Sequence, residues 1–221
     1  MSPNPASLTL ALIQHIDKIV DTLYVSGWAI VPDFLPLAST ERLLHRANSI
    51  DEFTPAGVGR GDRYRENKRI RKDKIFWLDD TNPTDRLWLE AMEFLRLAIN
   101  RYLFLGLFEF ETHYAHYEPG DYYLRHKDAF KGQGNRLVTV VLYLNPEWQD
   151  GDAGELVIYP ASHPDGVQVL PKAGTLVVFL SEDFSHEVLP TNRDRYSITG
   201  WFRLNSTTAT HLDVPQLSLG V

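Results

Sequence analysis

The stretch FEFETHYAHYEPGDYYLRHKD, residues 108–128, decides the fold of this chain. Two runs rich in aromatic residues, Phe108–Tyr117 and Tyr122–Asp128, flank the turn residues Glu118-Pro-Gly-Asp121, which predicts two strands joined by a turn. The same alternation of short β-prone runs and turns continues to residue 204. The further strands are predicted at Leu137–Leu144, Glu155–Tyr159, Gln168–Leu170, Thr175–Leu180, His186–Val188 and Tyr196–Leu204. Short antiparallel strands at this spacing favour a sandwich or a jelly roll over residues 106–204.

The first half of the chain has a different period. Apolar residues recur at helical spacing from Ser7 to Gly27, from Pro36 to Ser49 and from Thr84 to Tyr102, and a short apolar run at Trp28–Val31 predicts a strand. We expect residues 1–105 to be mostly helical and to support one sheet of a single domain spanning residues 1–221. The polar, weakly patterned tail, residues 205–221, is expected to be loosely held.

Composition excludes several classes of protein. The chain has 221 residues, of which 43% are hydrophobic, and its length suits one folded domain with a full core. A net charge of -7 argues against a nucleic-acid binder driven by bulk electrostatics, and the absence of cysteine excludes a disulfide framework. No stretch is long and apolar enough to span a membrane, and no signal peptide is recognisable. We therefore expect a monomeric cytoplasmic protein without membrane or nucleic-acid partners.

One segment departs from the acidic balance of the chain. Between Val58 and Lys74 eight basic residues face three acidic ones, so this segment carries +5 and the remainder about -12. Three interpretations are open for a basic loop over residues 58–76: a solvated mobile loop, a lid that holds a protein substrate, or a contact with nucleic acid.

The spacing of two histidines and an aspartate indicates a metal site. In a strand, residues i and i+2 point to the same face, so His126 and Asp128 can hold one ion while Lys127 points away. His186, at the start of a later predicted strand, completes a set of two imidazoles and one carboxylate, which suits iron(II) and leaves one face of the metal open.

Arg195 suggests what the open face binds. Its predicted strand places Arg195, Ser197, Thr199 and Trp201 on one face, and a hairpin is expected to put it on a strand next to that of His186. A guanidinium that points into a barrel needs an anion, and its two-pronged geometry suits a carboxylate. Tyr143 shares a strand face with Thr139, and two interpretations are open for it. Spacing alone favours a core tyrosine, whereas a buried hydroxyl in need of a partner would serve the same carboxylate. By contrast, His113 and His116 fall on opposite strand faces and suggest packing or surface roles.

At this point the motifs resemble a known family, the 2-oxoglutarate and iron(II)-dependent oxygenases, and within it the prolyl hydroxylases of the oxygen-sensing type in their bacterial form. Residues 117–203 carry the resemblance, and Arg71-Lys-Asp-Lys-Ile-Phe-Trp77 is similar to the family's mobile loop over the active site. The other motifs are Tyr117-Glu-Pro-Gly120, Tyr123-Leu-Arg-His126 with Asp128, Arg136-Leu-Val-Thr139, Leu142-Tyr-Leu-Asn145, His186-Glu-Val188 and Arg195-Tyr-Ser-Ile-Thr-Gly-Trp201-Phe202.

The resemblance implies a fold, cofactors and residue roles. The fold would be a double-stranded β-helix, the cofactors iron(II), 2-oxoglutarate and dioxygen, and ascorbate a further requirement. His126, Asp128 and His186 would be the catalytic iron ligands. The cosubstrate pocket would be formed by Arg195, Tyr143, Tyr117, Thr199 and Trp201. The substrate would be contacted by Arg136, Trp77 and Arg71.

The activity implied is 4-hydroxylation of a prolyl residue in a partner protein, for which bacterial members suggest elongation factor Tu. Two alternatives remain: an oxygenase of a small molecule or of another side chain, and a non-catalytic metal-binding β-barrel that acts as a sensor. Nucleic-acid demethylation is disfavoured, because the demethylases of this fold carry a second arginine six residues after the first, where this chain has Trp201. One departure from the family is Ala153, which stands where a glycine is usual and is expected to be a mild change in a turn.

Overall fold

The computed structural model describes residues 6–57, 67, 69–129 and 135–205. It contains three α-helices, α1 (Ala6–Ser26), α2 (Leu37–Asn48) and α3 (Pro83–Leu103), within the described residues. The first strand lies between α1 and α2, the next two lie between α2 and α3, and the other eight follow α3. The strands are β1 (Trp28–Val31), β2 (Thr54–Pro55), β3 (Lys74–Trp77), β4 (Leu107–Tyr117), β5 (Tyr123–His126), β6 (Arg136–Tyr143), β7 (Leu156–Tyr159), β8 (Val167–Val169), β9 (Leu176–Leu180), β10 (Ser185–Val188) and β11 (Arg195–Leu204). The predicted tail lies outside the described residues from 206 onward.

Two antiparallel sheets form the β-structure. One has seven strands in the order β1-β9-β6-β11-β4-β3-β2, and the other has four in the order β5-β10-β7-β8. Strands that are distant in sequence lie side by side, as in the pairs β11–β4 and β11–β6. This confirms the expected jelly-roll class, and β1 confirms the strand predicted at Trp28–Val31. The correction is that β2 and β3 add two further strands to a region expected to be mostly helical.

The helices support the seven-stranded sheet, as expected from their apolar spacing. In α3 the side chain of Asn82 accepts a hydrogen bond from the backbone N–H of Thr84, Pro83 occupies the first turn, and Phe104 ends the helix in a left-handed conformation. Its buried face, which includes Trp88 and Leu95, joins the core formed with α1 and the sheet. Among the described residues, no helix is long and apolar enough to cross a membrane.

The segment before β3 joins the two sheets. The backbone N–H of Lys72 donates to the carbonyl of Tyr122, and the N–H of Leu124 donates to the carbonyl of Ile70, so residues 70–72 extend the four-stranded sheet at the edge strand β5. The chain then crosses to β3, which pairs with β4 in the other sheet. The prediction of a loop up to residue 76 is therefore wrong at its C-terminal end. The unpaired backbone groups of an edge strand can bond a neighbouring segment whatever its side-chain charge, so a basic segment is not necessarily a loop. Residues 58–66 and 68 of that loop lie outside the described residues.

His186 and Arg195 lie in different sheets. The sequence predicts that they occupy neighbouring antiparallel strands of one hairpin, but β10 pairs with β5 and β7, whereas β11 pairs with β4 and β6. The connection over residues 189–194 therefore crosses from one sheet to the other. A turn signal in sequence does not distinguish a hairpin from a strand connection that changes sheets. The two side chains nevertheless line the same cavity between the sheets.

Candidate metal centre

Three side chains from two chain segments meet between the sheets. One ligand atom from each of His126, Asp128 and His186 lies within 4.8 Å of the other two. The Nε2 atom of His126 is 3.5 Å from Oδ1 of Asp128, and the Nε2 atom of His186 is 3.6 Å from Oδ2. His126 and His186 are directly paired in the β10–β5 register, and Asp128 follows β5 in a bend. The spacing argument thus holds although the strand itself ends at His126.

Backbone carbonyls orient both imidazoles. Nδ1 of His126 lies 2.8 Å from the carbonyl oxygen of Leu124, and Nδ1 of His186 lies 3.3 Å from that of Phe184. A carbonyl only accepts, so Nδ1 of each ring donates to it, and Nε2 is the nitrogen that faces the shared space. Stacking of Tyr123 on His126, with ring centroids 3.5 Å apart, braces that ring further.

The protonation states of the cluster suit a cation. Burial lowers the pKa of His186 to about 4, so its ring is neutral at neutral pH. Burial opposes ionisation of Asp128, but the two facing histidines outweigh burial and hold the pKa of this carboxyl well below its ordinary value. A carboxylate and two imidazoles are the donor set that iron(II) takes in facial sites.

The cluster opens into a cavity of about 1400 Å³ between the sheets. Arg195 is only 2% exposed at its wall, and its Nε donates to the carbonyl oxygen of Gly154 over 2.8 Å. No carboxylate of the described residues pairs with this guanidinium. The hydroxyl of Tyr143 is buried and has no hydrogen-bond partner there either. A buried cation without an anionic partner and a buried phenol without an acceptor fit an anionic ligand in the cavity.

The other residues expected in the cosubstrate pocket also line this cavity. Tyr117 lies beneath Arg195, with the guanidinium carbon 4.9 Å from the ring centroid. Trp201 is directly opposite Thr139 in the β11–β6 register, beside the metal cluster. Thr199 is on the same face of β11, between Arg195 and Trp201, so this strand runs from the metal cluster to the buried cation.

The three residues expected to contact substrate lie nearer the mouth, and two of them are engaged within the protein. Trp77 is 47% exposed and lines the cavity. Arg136 stacks on Trp201, with its guanidinium carbon 3.4 Å from the ring centroid, and its Nε donates to Glu111 over 2.6 Å.

Arg71 has intramolecular partners of its own. Its guanidinium donates to both carboxylate oxygens of the buried Asp73, over 2.7 and 2.5 Å, and it lies over the ring of Tyr123. The pKa of Arg71 is raised, because its interactions with Asp73 outweigh the opposing effect of burial. Arg71 therefore braces the wall next to His126.

The sequence did not predict the contact of Thr139 with Asp128, and for His113 it predicted a packing role but not a place in the cavity wall. Thr139 donates a hydrogen bond of 2.7 Å to Oδ2 of Asp128; the shared strand face with Tyr143 was the available signal. His113 was expected to pack or to face the surface. It is buried in the cavity wall, with its ring centroid 5.0 Å from that of Trp77 and 5.3 Å from that of Trp201. Its position opposite Thr199 depends on the β4–β11 register, which sequence spacing does not reveal.

Residues 112–203 match the model of the 2OG-Fe(II) oxygenase superfamily. The matched stretch contains all three residues of the cluster together with Arg195 and Tyr143. Among solved structures, the crystal structure of a Pseudomonas putida prolyl-4-hydroxylase is similar to this chain, with 42% sequence identity and a TM-score of 0.78. The similarity covers 86% of this chain and 100% of the Pseudomonas putida chain.

Further relatives are animal enzymes. A Trichoplax adhaerens prolyl hydroxylase in complex with a peptide of hypoxia inducible factor is 28% identical over 91% of this chain and 94% of its own, with a TM-score of 0.76. Egl nine homolog 1 of Homo sapiens is 28% identical over 87% of this chain, and the hypoxia-inducible factor prolyl hydroxylase of Caenorhabditis elegans is 25% identical over 89%. The chain spans 47% and 29%, respectively, of the length of these two relatives.

Proposed function

The chain belongs to the 2OG-Fe(II) oxygenase superfamily, and from that premise we propose that it hydroxylates a prolyl residue of a partner protein. The observation that carries the proposal is that one cavity contains both the His126–Asp128–His186 cluster and the Arg195–Tyr143 pair, which has no anionic partner among the described residues. The similarity to prolyl hydroxylases over most of the chain supports the choice of proline.

The cofactors are iron(II) and 2-oxoglutarate, with dioxygen as oxidant. When bound, they supply the oxidising chemistry: dioxygen converts 2-oxoglutarate to succinate and carbon dioxide, and its second oxygen atom enters a substrate C–H bond. The protein's part is to hold the reactants in place. His126, Asp128 and His186 would hold the iron through Nε2, a carboxylate oxygen and Nε2.

Arg195 and Tyr143 would hold the far carboxylate of 2-oxoglutarate. The guanidinium offers free donors beside Nε, and burial raises the pKa of Tyr143 to about 12, so the phenol keeps its proton and donates at neutral pH. Anchoring one end of the cosubstrate inside the barrel directs its other end toward the cluster. The buried walls formed by Val141, Ile75 and Leu156 exclude water from the region between them.

The mouth of the cavity suits a polypeptide side chain. Trp77, His113 and Trp201 form a continuous aromatic wall that leads from the exposed rim to the metal cluster. A prolyl ring is apolar and rigid, so it packs well against aromatic faces. The cavity exceeds the volume usual for a small-molecule site, which leaves room for a segment of chain beside the cosubstrate.

The resemblance to bacterial prolyl hydroxylases makes elongation factor Tu the first partner to test. The purified chain would be incubated with iron(II), 2-oxoglutarate, dioxygen and either elongation factor Tu or lysate of the source organism. Mass spectrometry would locate an added oxygen on proline, and succinate would be counted against it. We expect one succinate per hydroxylated proline.

Paired variants give the control. His126→Ala removes a ligand, whereas His116→Ala removes a histidine of β4 that pairs with Asp194 away from the cluster. Loss of the added oxygen in the first variant alone supports the proposal. Identical proteomes after incubation with wild type and with His126→Ala would refute it. Hydroxylation of lysate proteins other than elongation factor Tu would support the prolyl hydroxylase activity but identify a different partner.

A further inference from the structure

Two buried hydroxyls stand behind the carboxylate of the metal cluster. Thr139 is on β6 and Ser181 directly follows β9, its neighbour in the seven-stranded sheet. Their side chains are 1% and 0% exposed, and their hydroxyl oxygens are 2.8 Å apart. The hydroxyl of Thr139 is in turn 2.7 Å from Oδ2 of Asp128.

The direction of these hydrogen bonds follows from counting protons. An ionised carboxylate only accepts, so Thr139 uses its single hydroxyl hydrogen on Asp128. Thr139 therefore accepts from its other neighbour, and Ser181 must donate. The result is a directed chain from Ser181 to Thr139 to Asp128, in which the accepted bond strengthens the donated one because hydroxyl chains polarise one another.

The consequence concerns the number of carboxylate oxygens that reach a metal. Oδ1 of Asp128 is 3.5 Å from Nε2 of His126 and Oδ2 is 3.6 Å from Nε2 of His186, so both oxygens border the space between the histidines. A six-coordinate metal with two imidazoles and one carboxylate oxygen keeps three open positions. If both oxygens were bound, two would remain, whereas a chelating 2-oxo acid and dioxygen together require three.

We propose that Thr139 and Ser181 are positioning residues that occupy Oδ2 of Asp128 and so restrict this carboxylate to one bond with the metal. The hydrogen bond to Oδ2 stabilises the lone pairs that a second metal bond would use. The inference rests on the iron and 2-oxoglutarate chemistry of the proposed function, but it is independent of the substrate.

The test measures ligand binding and needs no substrate. Thr139→Val replaces the hydroxyl by a methyl group of similar size, Ser181→Ala removes its donor, and Thr139→Ser keeps the hydroxyl. Thr40→Val is the matched control: Thr40 is also fully buried, but its hydroxyl bonds the carbonyl of Pro36 in α2, away from the cavity. Anaerobic titrations would give the affinities for iron(II), for 2-oxoglutarate and then for nitric oxide, a stand-in for dioxygen detected by electron paramagnetic resonance.

We expect Thr139→Val to bind iron(II) and 2-oxoglutarate within about threefold of wild type and nitric oxide about tenfold more weakly, an effect the size of one hydrogen bond to a charged group. Ser181→Ala should shift nitric oxide binding in the same direction by a smaller factor, while Thr139→Ser and Thr40→Val should match wild type. If Thr139→Val does not fold, Ser181→Ala and Thr139→Ser carry the comparison.

Two outcomes would overturn the inference. Nitric oxide affinity equal to that of Thr40→Val would show that the hydroxyl does not control the open position. An equal loss of iron(II) and nitric oxide affinity would show that it only holds the carboxylate in place. If the wild-type chain itself bound neither iron(II) nor 2-oxoglutarate, the proposed function would fail, which is a different result from a wild type that binds both and a variant that behaves like it.

Discussion

The guanidinium carbon of Arg195 lies 5.0 Å from the centroid of the Tyr143 ring, and both side chains are buried in the wall of the cavity. Both side chains have hydrogen-bond donors that are buried away from water. Burial of such donors costs free energy unless a ligand accepts their hydrogen bonds. We therefore expect Arg195 and Tyr143 to contribute to ligand binding without stabilising the unliganded protein.

Arg195→Ala should weaken 2-oxoglutarate binding by about 10- to 100-fold while metal binding survives, because it removes a charge-assisted contact that is distant from the metal cluster. Calorimetric titration of the metal-loaded protein would measure both affinities. Arg193→Ala is the control, since Arg193 lies two residues before Arg195, on the connection that precedes β11, but is half-exposed and paired with Asp152. An unchanged affinity for 2-oxoglutarate in Arg195→Ala would eliminate this residue as the anchor.

Tyr143→Phe should affect binding and stability in opposite directions. Without cosubstrate the buried hydroxyl has no partner among the described residues, so its removal should leave the thermal stability equal or slightly higher. With cosubstrate the same change should weaken 2-oxoglutarate binding by about five- to tenfold, the loss of one hydrogen bond. Thermal unfolding with and without 2-oxoglutarate would check both. Lower stability in the unliganded variant would contradict the prediction.

His113 should make the unliganded protein less stable at mildly acid pH. Burial lowers the pKa of His113 well below 6.5, so the unfolded chain takes up a proton there that the folded chain does not. This contribution to stability is complete above the unfolded pKa and falls as the pH drops below it, by at most about 1.4 kcal/mol per pH unit. Urea unfolding of metal-free protein between about pH 5 and 7 should show a steeper dependence in wild type than in His113→Leu. Parallel curves would exclude this role.

Ala153→Gly should stabilise the protein. Ala153 has φ 56° and ψ -148°, a conformation that only glycine adopts without strain, and this is a larger departure than the mild turn change expected from the sequence. Relief of this strain should outweigh the added freedom of the unfolded chain and raise the free energy of unfolding by about 1 kcal/mol. Ala161→Gly in an exposed turn without positive φ is the control, and it should be neutral or destabilising. Equal effects of the two changes would argue against strain.

Trp77→Ala should separate the protein substrate from the cosubstrate. Trp77 is half-exposed at the cavity mouth, so its removal should raise KM for a proline-containing substrate by about tenfold through lost aromatic contact. The affinity for 2-oxoglutarate should stay unchanged, because the anchor lies elsewhere in the cavity. Phe94→Ala, which truncates an exposed aromatic residue on α3, should change neither. A rise in the 2-oxoglutarate dissociation constant with Trp77→Ala would mean that the wall acts on the cosubstrate.

The faces of the strands were predictable because they depend on local geometry. Side chains alternate along a strand with period two, so the shared face of Arg195, Thr199 and Trp201 follows from their numbers alone. These three residues do line the cavity together. The same rule placed His126 and Asp128 on one side of their segment, and Tyr143 on the same strand face as Thr139.

Partner strands were not predictable in the same way. His186 and Arg195 are nine positions apart but belong to different sheets, whereas His113 and Thr199 are far apart in sequence and lie directly opposite each other. The pairing of residues 70–72 with the edge strand β5 was not predicted, because the basic charge of that segment indicated a loop. Each of these relationships depends on which strand edges meet in the folded chain, and no local pattern records that.

By itself the sequence determined the three α-helices and most of the strands, the face that each of those strands presents and the set of chemical groups available to bind a metal and an anion. Those properties follow from side-chain chemistry and from backbone periods of 2 and 3.6 residues, which act over a few residues. Only the tertiary structure decided that the two sheets enclose one cavity, that Thr139 and Ser181 stand behind Asp128, and that His113 is buried beside Trp201. The reason is that register between distant strands is set by the packing of the whole core.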